Sequence, residues 1–298
     1  MSYLFRKTSL AVIIAGGVSP VLAADLDIPM VIEEPAIVQP YAEVREFGGW
    51  YIRGDVDYHK SKIRGTEYFT YGAEPCPDDC GDPDAWTGVG GTKSFDTAAL
   101  KSSFSLGAGV GYQANRYFRT DLTLDYWFKS KFRGGTSDEG GYSCGGGDGP
   151  CESVDRSKMS ALLLLANAYV DLGTWNGITP YVGAGIGGAH VKWGDLINDI
   201  GGYEQRHKGA KSWRFAYALM AGASYCLTDR TVLDAGYRFS RIEGGRMFEK
   251  NGAGPGFDKG FNTHEVRAGL RYSFGGSANG CYEPQTVAYE PPAPIYTK

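Results

Sequence analysis

The chemistry-bearing residues of this chain recur at two-residue spacing inside otherwise apolar runs. Arg53, Asp55 and Asp57 share one short segment, and Arg119, Asp121 and Asp125 share another. Asp171 and Arg214 stand in two more, and Asp234 with Arg238 and Glu265 with Arg267 and Arg271 complete the set. Six arginines therefore face seven acids, and the charges nearly cancel. Charges so spaced have two uses. They line a conducting constriction, or they pair and fill a narrow interior, because an unpaired buried ion costs several kcal/mol. Pairing is the expectation, and a small-solute pore is the alternative. Four histidines, His59, His190, His207 and His264, offer a second chemistry. With Tyr68, Tyr71, Tyr142 and Tyr203 they are candidate ligands for the iron of hemin, since His and Tyr are its usual protein ligands. Catalysis by His264 and nearby serines lacks a base-and-orienter arrangement, so no enzyme is expected. The acidic run Asp78, Asp79, Asp82 and Asp84 misses the calcium-loop spacing and reads as a solvated loop. No metal site is expected.

Six cysteines offer a third chemistry. Cys76 and Cys80 lie in CPDDC, and Cys144 and Cys151 in CGGGDGPC. Both pairs sit in Gly- and Pro-rich stretches that bend enough to close a short disulfide ring. A four-thiolate zinc site is the alternative, but no C-x2-C pair is present. Residues 1–24 explain why disulfides are permitted. Arg6 and Lys7 precede an apolar run from Leu10 to Val18, and Val21-Leu22-Ala23 is a small-residue cleavage site, the pattern of a secretory signal. Cleavage is expected after Ala23 or Ala24, which delivers the cysteines to an oxidising space. It also removes two cations and no anions, taking the formal charge from −4 to −6.

The rest of the composition narrows the class. Gly numbers 44 of 298, aromatic content is 13%, and mean hydropathy is −0.29. The only long apolar stretch is the signal, so no later window offers the ~20 residues a spanning helix needs. Disorder is excluded by the aromatic content. Near-neutral charge with no basic cluster along the chain argues against a nucleic-acid partner.

The elements that must position these residues are strands. Eight segments alternate apolar and polar positions: Trp50 to Tyr58, Ser103 to Tyr112, Phe118 to Phe128, Ser160 to Leu172, Pro180 to Val191, Trp213 to Leu227, Thr231 to Ile242 and Thr263 to Phe274. Their connections alternate long (about 60–102, 129–159, 192–212, 243–262) and short (113–117, 173–179, 228–230). That pattern predicts an all-β, eight-stranded, antiparallel, up-and-down transmembrane barrel over 48–274, with long extracellular loops. An eight-strand ring has room only for side chains inside, so the bulky apolar face must lie outside, in lipid. Both termini and the short turns then face the periplasm. Residues 24–47 and 275–298 read as Pro-containing periplasmic arms. Cys226, at the periplasmic end of the sixth strand, and Cys281, seven residues beyond Phe274, lie on one side, so a disulfide between them is a further candidate, with free thiols as the alternative.

The signal, the acidic Pro-containing arm and Gly49-Trp-Tyr-Ile-Arg-Gly-Asp55 resemble the start of a family of small alphaproteobacterial outer-membrane barrels. Asn167 to Gly188 resembles that family's central hairpin, and Val266-Arg-Ala-Gly-Leu-Arg-Tyr-Ser-Phe274 its closing strand. The group, called porin family and similar in fold to OmpA- and OmpX-like barrels, includes major surface antigens and hemin-binding proteins. The resemblance implies an outer-membrane surface protein that supports envelope integrity, with hemin or another loop ligand as the alternative. It implies as partners outer-membrane lipid, lipopolysaccharide and the barrel-assembly machinery, which reads a C-terminal aromatic, here Phe274. No other cofactor is expected.

Overall fold

The computed structural model describes residues 48–71, 89–138, 151–274 and Cys281. The expected cleavage residues Ala23 and Ala24, Cys76, Cys80, Cys144, Tyr142, the acidic run 78–84 and both arms lie outside the described residues, Cys281 excepted. Every described element is a strand. In chain order these are β1 (Gly49–Ile63), β2 (Thr66–Tyr71), β3 (Val89–Lys93), β4 (Thr97–Leu100), β5 (Ser103–Gln113), β6 (Phe118–Gly135), β7 (Ser137–Asp138) and β8 (Cys151–Asp171). They continue with β9 (Ile178–Trp193), β10 (Leu196–Ile200), β11 (Tyr203–His207), β12 (Lys211–Cys226), β13 (Thr231–Ile242), β14 (Gly245–Phe248), β15 (Gly256–Asp258) and β16 (Phe261–Ser273).

Eight long strands pair cyclically and antiparallel. The order β1–β5–β6–β8–β9–β12–β13–β16 returns to β1, with β6 pairing β8 from Phe118↔Val170 to Gly134↔Asp155. Each long strand thus has two neighbours and no free edge, the condition for crossing a bilayer with strands. Alternation divides the faces. β1 buries Tyr51, Arg53, Asp55, Asp57, His59, Ser61 and Ile63, and turns Trp50, Ile52, Val56 and Tyr58 outward. Outward aromatics gather near both ends of an apolar belt: Trp50 meets Tyr112 at 5.4 Å at the end bearing the termini, and Tyr58 meets Phe104 at 5.1 Å toward the long loops.

Glycines at inward positions leave room for charged side chains. A Cβ on Gly107 would land on the Asp125 carboxylate, and one on Gly269 on the Asp55 carboxylate. The high glycine content is therefore partly a lumen requirement.

Two sequence expectations need correction. The strands are longer than expected, up to 21 residues for β8 against the ~9–11 that span a bilayer, so they project well past the belt. The long connections are also not plain loops. Four of their segments form a separate sheet in the order β14–β15–β2–β3, while β10 and β11 form a hairpin that extends the barrel wall through β8. Tyr68 pairs with Gly256 across most of the chain, a contact no local pattern announces.

The interior is likewise not purely polar. Leu163 and Leu165 point inward while Leu164 points out, which is why alternation is blurred there in the sequence. Toward the long-loop end the lumen closes on an apolar cluster. Phe95 stands 5.7 Å from Phe132, Phe132 5.5 Å from Trp193, and Trp193 6.1 Å from Phe261. Met247 and Phe248 of β14 belong to the same cluster.

Candidate functional site

All thirteen charged residues singled out from the sequence are buried inside the ring. Arg53 bridges Asp55 at 2.7 Å and Asp121 at 2.9 Å. Asp121 also accepts hydrogen bonds from Tyr51 at 3.1 Å and from Asn167 at 2.7 Å. Arg238 donates to Asp125 at 2.6 Å and Glu265 at 2.5 Å, and lies 3.5 Å from Asp57. Arg267 reaches Asp55, Asp57 and Asp125 at 3.2, 3.1 and 3.5 Å. Arg271 meets Asp234 at 3.7 Å, and Ser224 donates to Asp234. Arg119 pairs with Asp171 at 3.1 Å and presses its guanidinium between Tyr169 (4.1 Å) and Tyr181 (4.7 Å), a cation–π sandwich.

Several partners escaped sequence reasoning. Asn167 and Tyr169 share the polar face of their run with Asp171, as its alternation implies, whereas Tyr51 and Tyr181 are inward by parity alone. Asp258 of β15 falls within the long connection 243–262 of the sequence, yet it accepts from Arg214 at 2.6 Å and from the Trp193 indole at 2.9 Å. Burial pushes the Asp258 carboxyl above the usual carboxylate range despite those donors.

A second feature lies at the long-loop end. A cup of about 220 Å³ opens among β2, β8, β10, β11 and β14, over Phe95 and Phe248. Its polar groups converge on Asp155, which accepts from Ser153 and from Asn198, each at 2.8 Å. His207 closes one side, set edge-on to Phe248 at 5.1 Å. Burial raises the Asp155 carboxyl above its ordinary range and holds the His207 imidazole below its own. Burial likewise raises the Tyr68 phenol. Burial therefore moves all three groups in the direction of their neutral forms.

The four histidines do not form one ligand set. His59 is inward and stacks on Trp127 at 4.5 Å, and His207 lines the cup. His190 faces outward beside Trp213 at 5.2 Å, and His264 faces outward with its Nδ1 hydrogen-bonded to the Tyr237 hydroxyl. Among the tyrosines, Tyr68 lines the cup, Tyr71 packs under the Lys250 ammonium, and Tyr203 is exposed. The cup is smaller than the ~300–1,000 Å³ of pockets that take drug-sized molecules, and a porphyrin is no smaller than those. The residues brought together therefore do not fit hemin. No group of three or more His, Cys, Asp and Glu able to hold a metal occurs among the described residues.

Of the candidate disulfides, Cys226–Cys281 is formed, with a Cα–Cα distance of 5.4 Å. Cys151 opens β8, pairing across from Asp138. Phe274 lies just past β16, outward, its amide donating to the Trp50 carbonyl at 2.8 Å.

A family model described as outer membrane protein beta-barrel domain matches residues 36–274. The chain belongs to this family. Membership puts it in the outer membrane, with the apolar belt as its lipid-facing surface. An uncharacterized protein of Brucella abortus is 39% identical over 295 residues, covering 90% of this chain and 99% of that one. The outer membrane protein PagN of Salmonella typhimurium is 28% identical over 139 residues, 47% of this chain and 57% of that one. Among solved structures, OprG of Pseudomonas aeruginosa superposes with a TM-score of 0.41 at 14% identity, over 77% of this chain and 98% of that one.

Proposed function

We propose that this protein is a sealed structural barrel that supports the envelope and displays a folded surface at its long-loop end, with both termini in the periplasm. The observation that carries this reading is the paired interior. Arg53, Arg119, Arg238 and Arg267 each have a buried carboxylate partner, and an apolar cluster lies between them and the long-loop end. A conducting pore needs charge facing water, not charge neutralised by neighbours. Planar-bilayer recording of the detergent-refolded mature protein, its folding checked by heat-dependent gel mobility, tests this. A folded, silent barrel is expected. Reproducible conductance steps would overturn the packed-lumen reading in favour of a small-solute porin.

The second reading is ligand capture at the cup, favoured by the convergence of Asp155, Asn198 and His207 on one hollow. Hemin titration of the folded barrel addresses the hemin version. No Soret shift dependent on His207 is expected, and a shift abolished by His207→Ala would reinstate hemin. The chain is read as non-enzymatic, since His264 is engaged by Tyr237 rather than by a serine or carboxylate.

A further inference from the structure

Outward positions just beyond the long-loop aromatic ring are occupied by lysines from neighbouring strands: Lys129 and Lys131 on β6, Lys158 on β8, Lys192 on β9 and Lys211 on β12. Lys192 and Lys211 are direct cross-strand partners, as are Lys131 and Lys158. Like charges set opposite one another on a sheet are destabilising. Among the described residues Lys259 finds a carboxylate, Glu67 at 3.4 Å, while Lys129, Lys158, Lys192 and Lys211 find none.

The backbone is shaped to gather them. A β-bulge between Trp127 and Ser130 turns Phe128 and Lys129 outward together, and bulges re-aim side chains in this way. The result is an exterior hollow of about 580 Å³ with Lys129, Lys158 and Lys192 among its lining, beside Tyr126, Leu162 and His190. Leu162 opens directly onto the apolar belt through Leu164. At the other end of the barrel, the outward charges beyond the aromatic ring are mixed: Arg116, Asp229 and Arg230. A cationic patch continuous with a lipid-facing surface has the two-part chemistry of a membrane lipid with an anionic head.

We propose that Lys129, Lys158, Lys192 and Lys211 bind the phosphates of a phosphorylated lipid in the leaflet at the long-loop end, its acyl chains lying along Leu162 and Leu164. The site rests on outer-membrane membership. Only the identity of that leaflet as the outer one depends on the orientation proposed above.

The test uses refolded mature protein in zwitterionic detergent, titrated with diphosphoryl lipid A, with its dephosphorylated form and with inorganic phosphate. Binding is read by tryptophan fluorescence and, independently, by native mass spectrometry. Diphosphoryl lipid A should bind, and the variant Lys129→Gln/Lys158→Gln/Lys192→Gln/Lys211→Gln should bind it ~tenfold or more weakly. Dephosphorylated lipid should show the same loss on the unaltered protein, an arm that decides the matter even if the variant fails to refold. Equal affinity for the two lipids, unchanged affinity in the variant, or inorganic phosphate binding as tightly as the lipid would each overturn the proposal. The conductance experiment is independent of all three results.

Discussion

Arg238 has no exposed surface and three carboxylates within 3.5 Å. Removing it leaves Asp57, Asp125 and Glu265 facing one another without their shared cation. Breaking a buried ion pair by deleting one partner costs about 3–5 kcal/mol, so Arg238→Met should lower the unfolding midpoint by that order. Conductance of the residual folded fraction should stay silent, because the methionine still fills the space. His207 makes a different prediction. Its imidazole, pushed below its ordinary 6.5 by burial, contributes stability that is present above pH ~6.5 and lost as pH falls through the lowered folded value. Asp155 works the other way. Its carboxyl is raised above 3.8 by burial, so its contribution is present below that value and fades as pH rises through the raised one. The difference between wild type and His207→Gln isolates the histidine. Amide protection factors over 196–207, taken against the intrinsic exchange rate at each pH, should fall on acidification below pH ~6.5 in wild type, and that extra loss of protection should be absent in the variant.

Element by element, parity governs what each strand can tolerate. An inward glycine facing a charged side chain is a packing position, whereas an outward one is not. Gly269→Ala, whose Cβ would meet the Asp55 carboxylate and the Gly54 carbonyl, should cost about 1–3 kcal/mol by overpacking. Gly54→Ala, outward and with its nearest neighbour at 4.0 Å, should leave the heat-dependent mobility midpoint nearly unchanged. Comparing the two variants on one gel separates lumen packing from a general effect of losing glycine. The bulge in β6 is a second element-scale device. Without it Lys129 would turn inward, and the proposed phosphate site would lose one of its four lysines.

Across the whole molecule, the Cys226–Cys281 bond closes a chain segment with a sequence separation of 55, spanning the end of β12, the hairpin to β13, the second sheet's β14 and β15, and β16. Chain-entropy reasoning gives about 4 kcal/mol for a loop of that size. Cys281→Ser should therefore lower the unfolding midpoint, and reduction of wild type should bring it to the variant's value. A midpoint independent of both changes would show that the closed ring alone sets stability. Peptide mapping without reduction checks the pairing directly.

Period-two alternation and loop-length rhythm made the barrel legible from the amino acids alone. With side chains alternating between faces, each of the eight runs identified its own inward residues, from Arg53 to Arg271, without knowledge of its neighbours. The same local logic placed Cys226 and Cys281 on one side. What the chain's linear order left undetermined was everything built by contact between distant segments. Tyr68 and Gly256, Arg214 and Asp258, and Asp155 and His207 meet only because closure of the ring brings the long connections into one space, where they fold into a second sheet. The dispersal of the histidines was equally invisible, since parity and depth, not sequence proximity, decide which imidazoles share a cavity. No basic cluster exists along the chain, yet four strands laid side by side assemble one. Periodicity is a local property of a chain, whereas register, bulges and the pairing of charges are properties of a closed sheet.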